Sequence, residues 1–164
     1  MKNQGPSIFV VEDDKYFANM IKEFLGRNNY RNVQVYNNGE DCLKNLQQIP
    51  DVVILDHRLG EMSGLEVLRK IKSTNPNIHV IFLTAQRKMN VAINSLKYGA
   101  FDYLEKNEES LQRLLVLIRQ IRLTNDIVIK NREFKTFQYY FFGALFFIVC
   151  SVIYLSWRFP SLFD

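Results

Sequence analysis

The sequence predicts an α/β fold, a five-stranded doubly wound parallel sheet of (βα)5 type followed by one C-terminal transmembrane helix. Three observations carry that expectation. Five short apolar runs alternate with segments of helical periodicity. Those runs are too uniformly apolar for strands with one wet face, so both faces must be covered by helices. The stretch "TFQYYFFGALFFIVCSVIYLSW" at 136–157 holds no Asp, Glu, Lys or Arg, and 22 residues at ~1.5 Å each span ~33 Å, enough for a ~30 Å hydrocarbon core.

The elements follow in order. "SIFVV" (7–11) is the first strand; Phe17, Met20, Ile21 and Phe24 then recur at helical spacing, and Gly26 with the following Asn pair ends that helix. "NVQVY" (32–36) is the second strand, and Cys42 falls in the helix after it. "VVIL" (52–55) is the third; after it Ser63 and Glu66 form a capping box ahead of Leu65, Leu68 and Ile71. "IHVIFL" (78–83) leads to a helix marked by Ala92, Ile93 and Leu96 that stops near Gly99. "FDYL" (101–104) is the fifth strand, and Leu111, Leu114, Leu115, Ile118 and Ile121 line the last helix.

Charge is distributed unevenly. The formal net charge is +4, yet residues 1–112 carry 14 Lys+Arg against 14 Asp+Glu; the excess sits in 113–135, just ahead of the apolar run. Without aromatic interleaving, this basic stretch reads as a membrane-proximal collar and excludes a nucleic-acid surface. Cys42 and Cys150 have no metal or redox spacing and are expected to be inert thiols. The apolar part of "MKNQGPSIFVVEDD" is too short for a signal peptide.

Ligands of doubly wound sheets gather at the carboxyl ends of the strands. Here those ends read Val11 then Glu12, Asp13, Asp14; Leu55 then Asp56; Leu83 then Thr84; and Leu104 then Glu105, Lys106. Clustered carboxylates repel one another, and a hard divalent cation, Mg²⁺ or Mn²⁺, relieves the repulsion; Glu12, Asp13 and Asp56 would supply that site. Lys106 can hold a phosphoryl oxygen and Thr84 can donate a hydrogen bond to another. Asp56 is then a nucleophile towards phosphorus, giving an aspartyl phosphate.

Residues 7–124 resemble the receiver domains of two-component response regulators, which have a flavodoxin-like fold. The resemblance rests on "VVEDD" (10–14), "VVILDHRLGEMSGLEVLRKIK" (52–72), "IFLTA" (81–85) and "GAFDYLEK" (99–106), in the family's order. It implies that Asp56 is the phosphoacceptor and that Glu12 and Asp13 are the acidic pair, with the backbone carbonyl of Arg58 completing the protein's metal ligands. It further implies that Lys106 and Thr84 hold the phosphoryl group, that Thr84 and Tyr103 form the switch, and that Arg58 and Gln86 tune the lifetime of the phosphate. Asp14 is the extra acid that starts the first helix. Asn107 and Gly60 stand where the family commonly has proline, and Ser63 where it has Asp or Asn.

The expected organisation is a receiver over 1–124, a basic juxtamembrane stalk over 125–135, a membrane span over 136–157 and a short extracytoplasmic tail over 158–164. Lys130, Arg132 and Lys135 before the span, against Arg158 after it, place the receiver in the cytoplasm as a single-pass, tail-anchored protein. The expected partners are a histidine kinase or phosphotransfer protein, a downstream protein bound through the fourth helix, fifth strand and fifth helix, and the lipid bilayer, with no nucleic acid. The chain is expected to be a phosphoacceptor rather than an enzyme, beyond self-catalysed phosphotransfer and autodephosphorylation. The alternatives are a phosphorylation-independent membrane adaptor or scaffold and an aspartate-nucleophile phosphohydrolase.

Overall fold

The strands form because short β-branched and aromatic runs are bounded by turn residues, and they pair in parallel because each is followed by a helix that returns the chain to the starting edge. In the computed structural model, which describes residues 5–85 and 89–158 except the side chains of 108, 126–134 and 152–158, the elements are β1 (Ile8–Val11), α1 (Lys15–Arg27), β2 (Val33–Tyr36), α2 (Gly39–Lys44), β3 (Val52–Leu55), β4 (Arg58–Leu59), β5 (Met62–Ser63), α3 (Gly64–Thr74), β6 (His79–Thr84), α4 (Met89–Lys97), β7 (Asp102–Glu105) and α5 (Glu108–Arg158). Five strands form one parallel sheet in the order β2-β1-β3-β6-β7. The predicted five-stranded parallel sheet is the one observed.

Alternation along the strands divides the core between two faces. Ile8, Val10, Ile54, Ile81 and Leu83 pack with Ile21 and Leu25 of α1 and Leu114, Ile118 and Ile121 of α5. Phe9, Val11, Val53, Leu55 and Phe82 pack on the other face with Cys42 and with Val67, Leu68 and Ile71 of α3. Burial pushes the Cys42 thiol up to about 12, which keeps it a protonated, unreactive core residue.

Helix ends obey local chemistry. Asp14 caps α1, its carboxylate accepting from the N–H groups of Tyr16 and Phe17. Asn28 and Asn29 close the same helix, Asn29 in the left-handed region at φ +68°. Ser63 and Glu66 form the predicted capping box on α3. Asn107 precedes α5 and exchanges hydrogen bonds with Ser110: its side-chain oxygen accepts from the Ser110 N–H at 2.7 Å, and its own N–H donates to Ser110 Oγ at 3.1 Å.

Three details differ from the sequence expectation. The buried stripe of α1 is Ala18, Ile21 and Leu25, so the inward face is rotated from Phe17, Met20 and Phe24, which are only half-buried. In α4 the buried residues are Val91 and Ser95, while Ile93 and Leu96 are exposed; nine residues give too few turns for periodicity to set the phase. A small antiparallel hairpin, β4 with β5, pairs Arg58 with Ser63 and Leu59 with Met62. Gly60, at φ +75°, supplies the positive φ that its two-residue turn requires.

Contacts divide the chain into two units, Met1–Ile121 and Arg122–Asp164. In the second, the side chains of Phe137, Tyr139, Tyr140, Phe142, Phe146 and Phe147 are exposed. The expected transmembrane helix is not borne out: among the described residues no helix is long and apolar enough to cross a membrane.

Candidate functional site

Strand register brings the site together. The order of the sheet reverses between β1 and β3, with β2 beyond the first and β6 beyond the second, which is where open parallel sheets bind ligands. Val11 pairs with Leu55, so the next residues, Glu12 and Asp56, leave neighbouring strands side by side. The Asp56 N–H donates to the Val11 carbonyl at 3.0 Å, and the Glu12 N–H to the Tyr36 carbonyl at 3.0 Å. Thr84 pairs with Glu105, and the following Lys106 N–H donates to the Thr84 carbonyl at 2.9 Å. Each polar group is thus fixed by one further hydrogen bond at the end of its ladder.

The Lys106 ammonium lies 2.7 Å from Glu12 Oε1, 2.6 Å from Glu12 Oε2 and 3.1 Å from Asp56 Oδ2. It also sits 4.5 Å from the centre of the Phe17 ring. Asp56 Oδ1 accepts from the His57 N–H at 2.7 Å, which fixes the carboxylate plane. Gly64, at the start of α3, passes so close behind that any side chain there would collide with the Asp56 carbonyl oxygen. The Gly64 N–H donates to the His57 carbonyl at 2.8 Å, tying the loop after Asp56 to that helix.

Glu12 and Asp56 are buried, at 2% and 7% exposure, and Asp13 is exposed. One carboxylate oxygen from each lies within 4.8 Å of the others. Three hard oxygen donors, two shielded and one open to water, suit a small divalent cation that keeps part of its water shell; the residues present therefore fit Mg²⁺. Burial pushes the Glu12 carboxyl up to about 7; the Lys106 hydrogen bond opposes this, and the Asp56 charge adds to it.

The structure thus brings together Glu12, Asp13, Asp56 and Lys106. Thr84, buried at the end of β6, lies on the same rim. Tyr103 is half-buried in β7, opposite Phe82, and packs with the α3-side cluster. Arg58 is exposed on the β4–β5 hairpin. Gln86 lies outside the described residues. The Lys106–Asn107 peptide is trans. Sequence reasoning missed two contributors: Phe17, legible only as an apolar helix position, and Gly64, whose only signal was its place directly after the capping serine.

The raised Glu12 pKa has a defined consequence for stability. Between pH 4.5 and about 7 the folded state holds a proton that the unfolded chain has lost, so stability from this group is full below pH 4.5, falls as pH rises to about 7, and is flat above. Glu12→Gln removes the effect. In urea unfolding without divalent cation, the wild type is expected to lose ground to Glu12→Gln between pH 5 and pH 8; an equal difference at both pH values would refute the shift.

Comparison with known proteins agrees with this geometry. The family profile described as "Response regulator receiver domain" matches residues 8–119. The transcriptional regulatory protein ZraR of Klebsiella oxytoca is 37% identical over 107 residues, 65% of this chain and 24% of ZraR; the chain therefore spans about a quarter of that relative's length. The crystal structure of the receiver domain of a putative Luxo repressor protein from Vibrio parahaemolyticus superposes with a TM-score of 0.67 at 28% identity, covering 75% of this chain and 97% of that one. The BeF3-activated receiver domain of DrrB from Thermotoga maritima gives 0.62 at 32% identity, covering 70% and 98%. Receiver domains of this kind bind Mg²⁺ at an acidic pocket and interact with histidine kinases or phosphotransfer proteins. Residues 8–119, with their flavodoxin-like sheet and acidic rim, make this chain a member of the response regulator receiver family.

Proposed function

We propose that Asp56 accepts a phosphoryl group from a phosphohistidine donor on a kinase or phosphotransfer protein, and that the chain signals through protein contacts. The observation that carries this is the convergence of Glu12, Asp13, Asp56 and Lys106 on one rim. An Asp56 oxygen forms the new bond to phosphorus as the bond to the donor nitrogen breaks, its electron pair leaving on the imidazole. A bound Mg²⁺ would supply positive charge against the transferring phosphoryl group, held by Glu12, Asp13, Asp56 and the Arg58 carbonyl. Lys106 gives up a carboxylate for a phosphoryl oxygen, and its ammonium stays charged throughout. Thr84 donates its hydroxyl to a second phosphoryl oxygen, and Tyr103, one strand away, follows that movement. By the family resemblance, Arg58 and Gln86 tune the lifetime of the phosphate.

The exposed apolar stripe of α4, formed by Met89, Ile93 and Leu96, supports a downstream protein contact on the face of α4, β7 and α5. We propose in addition that the chain attaches to a bilayer through 136–157. Its supports are the absence of charge from that stretch, the basic residues ahead of it, and the exposed aromatic side chains from Phe137 to Phe147.

Incubating the full chain with Mg²⁺ and acetyl phosphate is expected to add one phosphate by intact mass. The adduct is expected to be absent in Asp56→Asn; an adduct of equal yield in that variant would place the acceptor elsewhere. In flotation with phosphatidylglycerol-containing vesicles, the full chain is expected to rise with lipid and to resist high-salt extraction. Recovery in the unbound fraction would refute attachment and leave the phosphoacceptor reading untouched.

A further inference from the structure

Lys106 has two kinds of partner. Its carboxylate contacts, Glu12 at 2.6 to 2.7 Å and Asp56 at 3.1 Å, belong to groups whose chemistry changes when Asp56 is phosphorylated. Its third contact is the face of the Phe17 ring, 4.5 Å from the ammonium, which the reaction leaves unaltered. The lysine side chain is only 13% exposed, so little water is at hand to replace a lost partner. A cation against an aromatic face gains most where water is excluded.

The placement of Phe17 is over-determined. It stands in the first turn of α1, its N–H capped by Asp14 at 3.3 Å, so the ring is carried by the helix that begins directly after the acidic pair. Partly buried, it packs against the core cluster that includes Ile21, Leu114 and Ile118. The helix, the cap and the core therefore hold the ring in place independently of Lys106.

Resting on the reading of Asp56 as phosphoacceptor, we propose that Phe17 is a positioning residue for phosphoryl transfer: its ring holds the Lys106 ammonium at the rim while a carboxylate partner is exchanged for a phosphoryl oxygen. The step balances without any change at the ring. With acetyl phosphate as donor, an Asp56 oxygen bonds to phosphorus, the bond from phosphorus to the acetyl oxygen breaks, and acetate leaves with the electron pair. Lys106 neither gains nor loses a proton.

The test measures the initial rate of adduct formation on the full chain, kept in mild detergent, at saturating Mg²⁺ and acetyl phosphate. Phe17→Leu is expected to slow the reaction about 3- to 30-fold, and Phe17→Tyr to restore the rate to within about twofold. In a Lys106→Met background, Phe17→Leu is expected to cause no further loss, since the two side chains act as one unit. Trifluorophenylalanine at position 17 keeps the shape of the ring while withdrawing charge from its face, and is expected to slow the reaction as well. An unaltered rate with that residue, or an equal loss from Phe17→Leu in both backgrounds, would reduce Phe17 to a packing role and overturn the proposal. Absence of any adduct on wild type would instead overturn the phosphoacceptor reading on which it rests.

Discussion

Everything at the functional end of this protein depends on one ammonium group shared between two buried carboxylates. Glu12 and Asp56 emerge from adjacent central strands, little exposed, and like charges at such spacing in a shielded site oppose one another strongly. Lys106 answers both charges at once. The sheet register delivers it there, because it follows directly on a β7 that is aligned with β6 at Thr84 and Glu105. Shifting that strand by one residue would turn the lysine to the other face.

The arrangement is poised rather than closed. Burial raises the Glu12 carboxyl to about 7 even with the lysine in contact, which means the ion pair offsets only part of the cost of desolvating that acid. A site with incompletely relieved negative charge favours incoming positive charge, and a divalent cation supplies more of it than an ammonium does. The surrounding backbone is built for close tolerance: Gly64 leaves room for the Asp56 carbonyl, the hairpin turns on Gly60, and Asn107 caps α5 immediately after the lysine.

The fold was largely legible because the decisive signals were local. Apolar runs bounded by turn residues located all five strands of the sheet, and the Ser63–Glu66 spacing marked the start of α3. The acids, Thr84 and Lys106 were legible because strand ends in a parallel sheet share one rim. The phase of α4 was not, since burial there follows Val91 and Ser95 and passes over Ile93 and Leu96. The β4–β5 hairpin was equally hidden: two-residue strands leave no periodicity to read. Phe17 shows the limit most clearly, because its ring meets a lysine 89 positions later in the chain, and a pairing between a helix turn and a strand end exists only once the sheet has formed.

The central claim is that Lys106 trades a carboxylate for a phosphoryl oxygen on Asp56. The most direct measurement is a crystal structure of the full chain with Mg²⁺ and beryllium trifluoride, a non-hydrolysable stand-in for the phosphoryl group. Beryllium is expected bonded to an Asp56 oxygen, with the Lys106 ammonium within hydrogen-bond distance of a fluorine and withdrawn from Glu12, and the Phe17 ring still against it. Beryllofluoride on another side chain, or an Asp56 adduct with Lys106 still paired to Glu12 and no contact to fluorine, would contradict it.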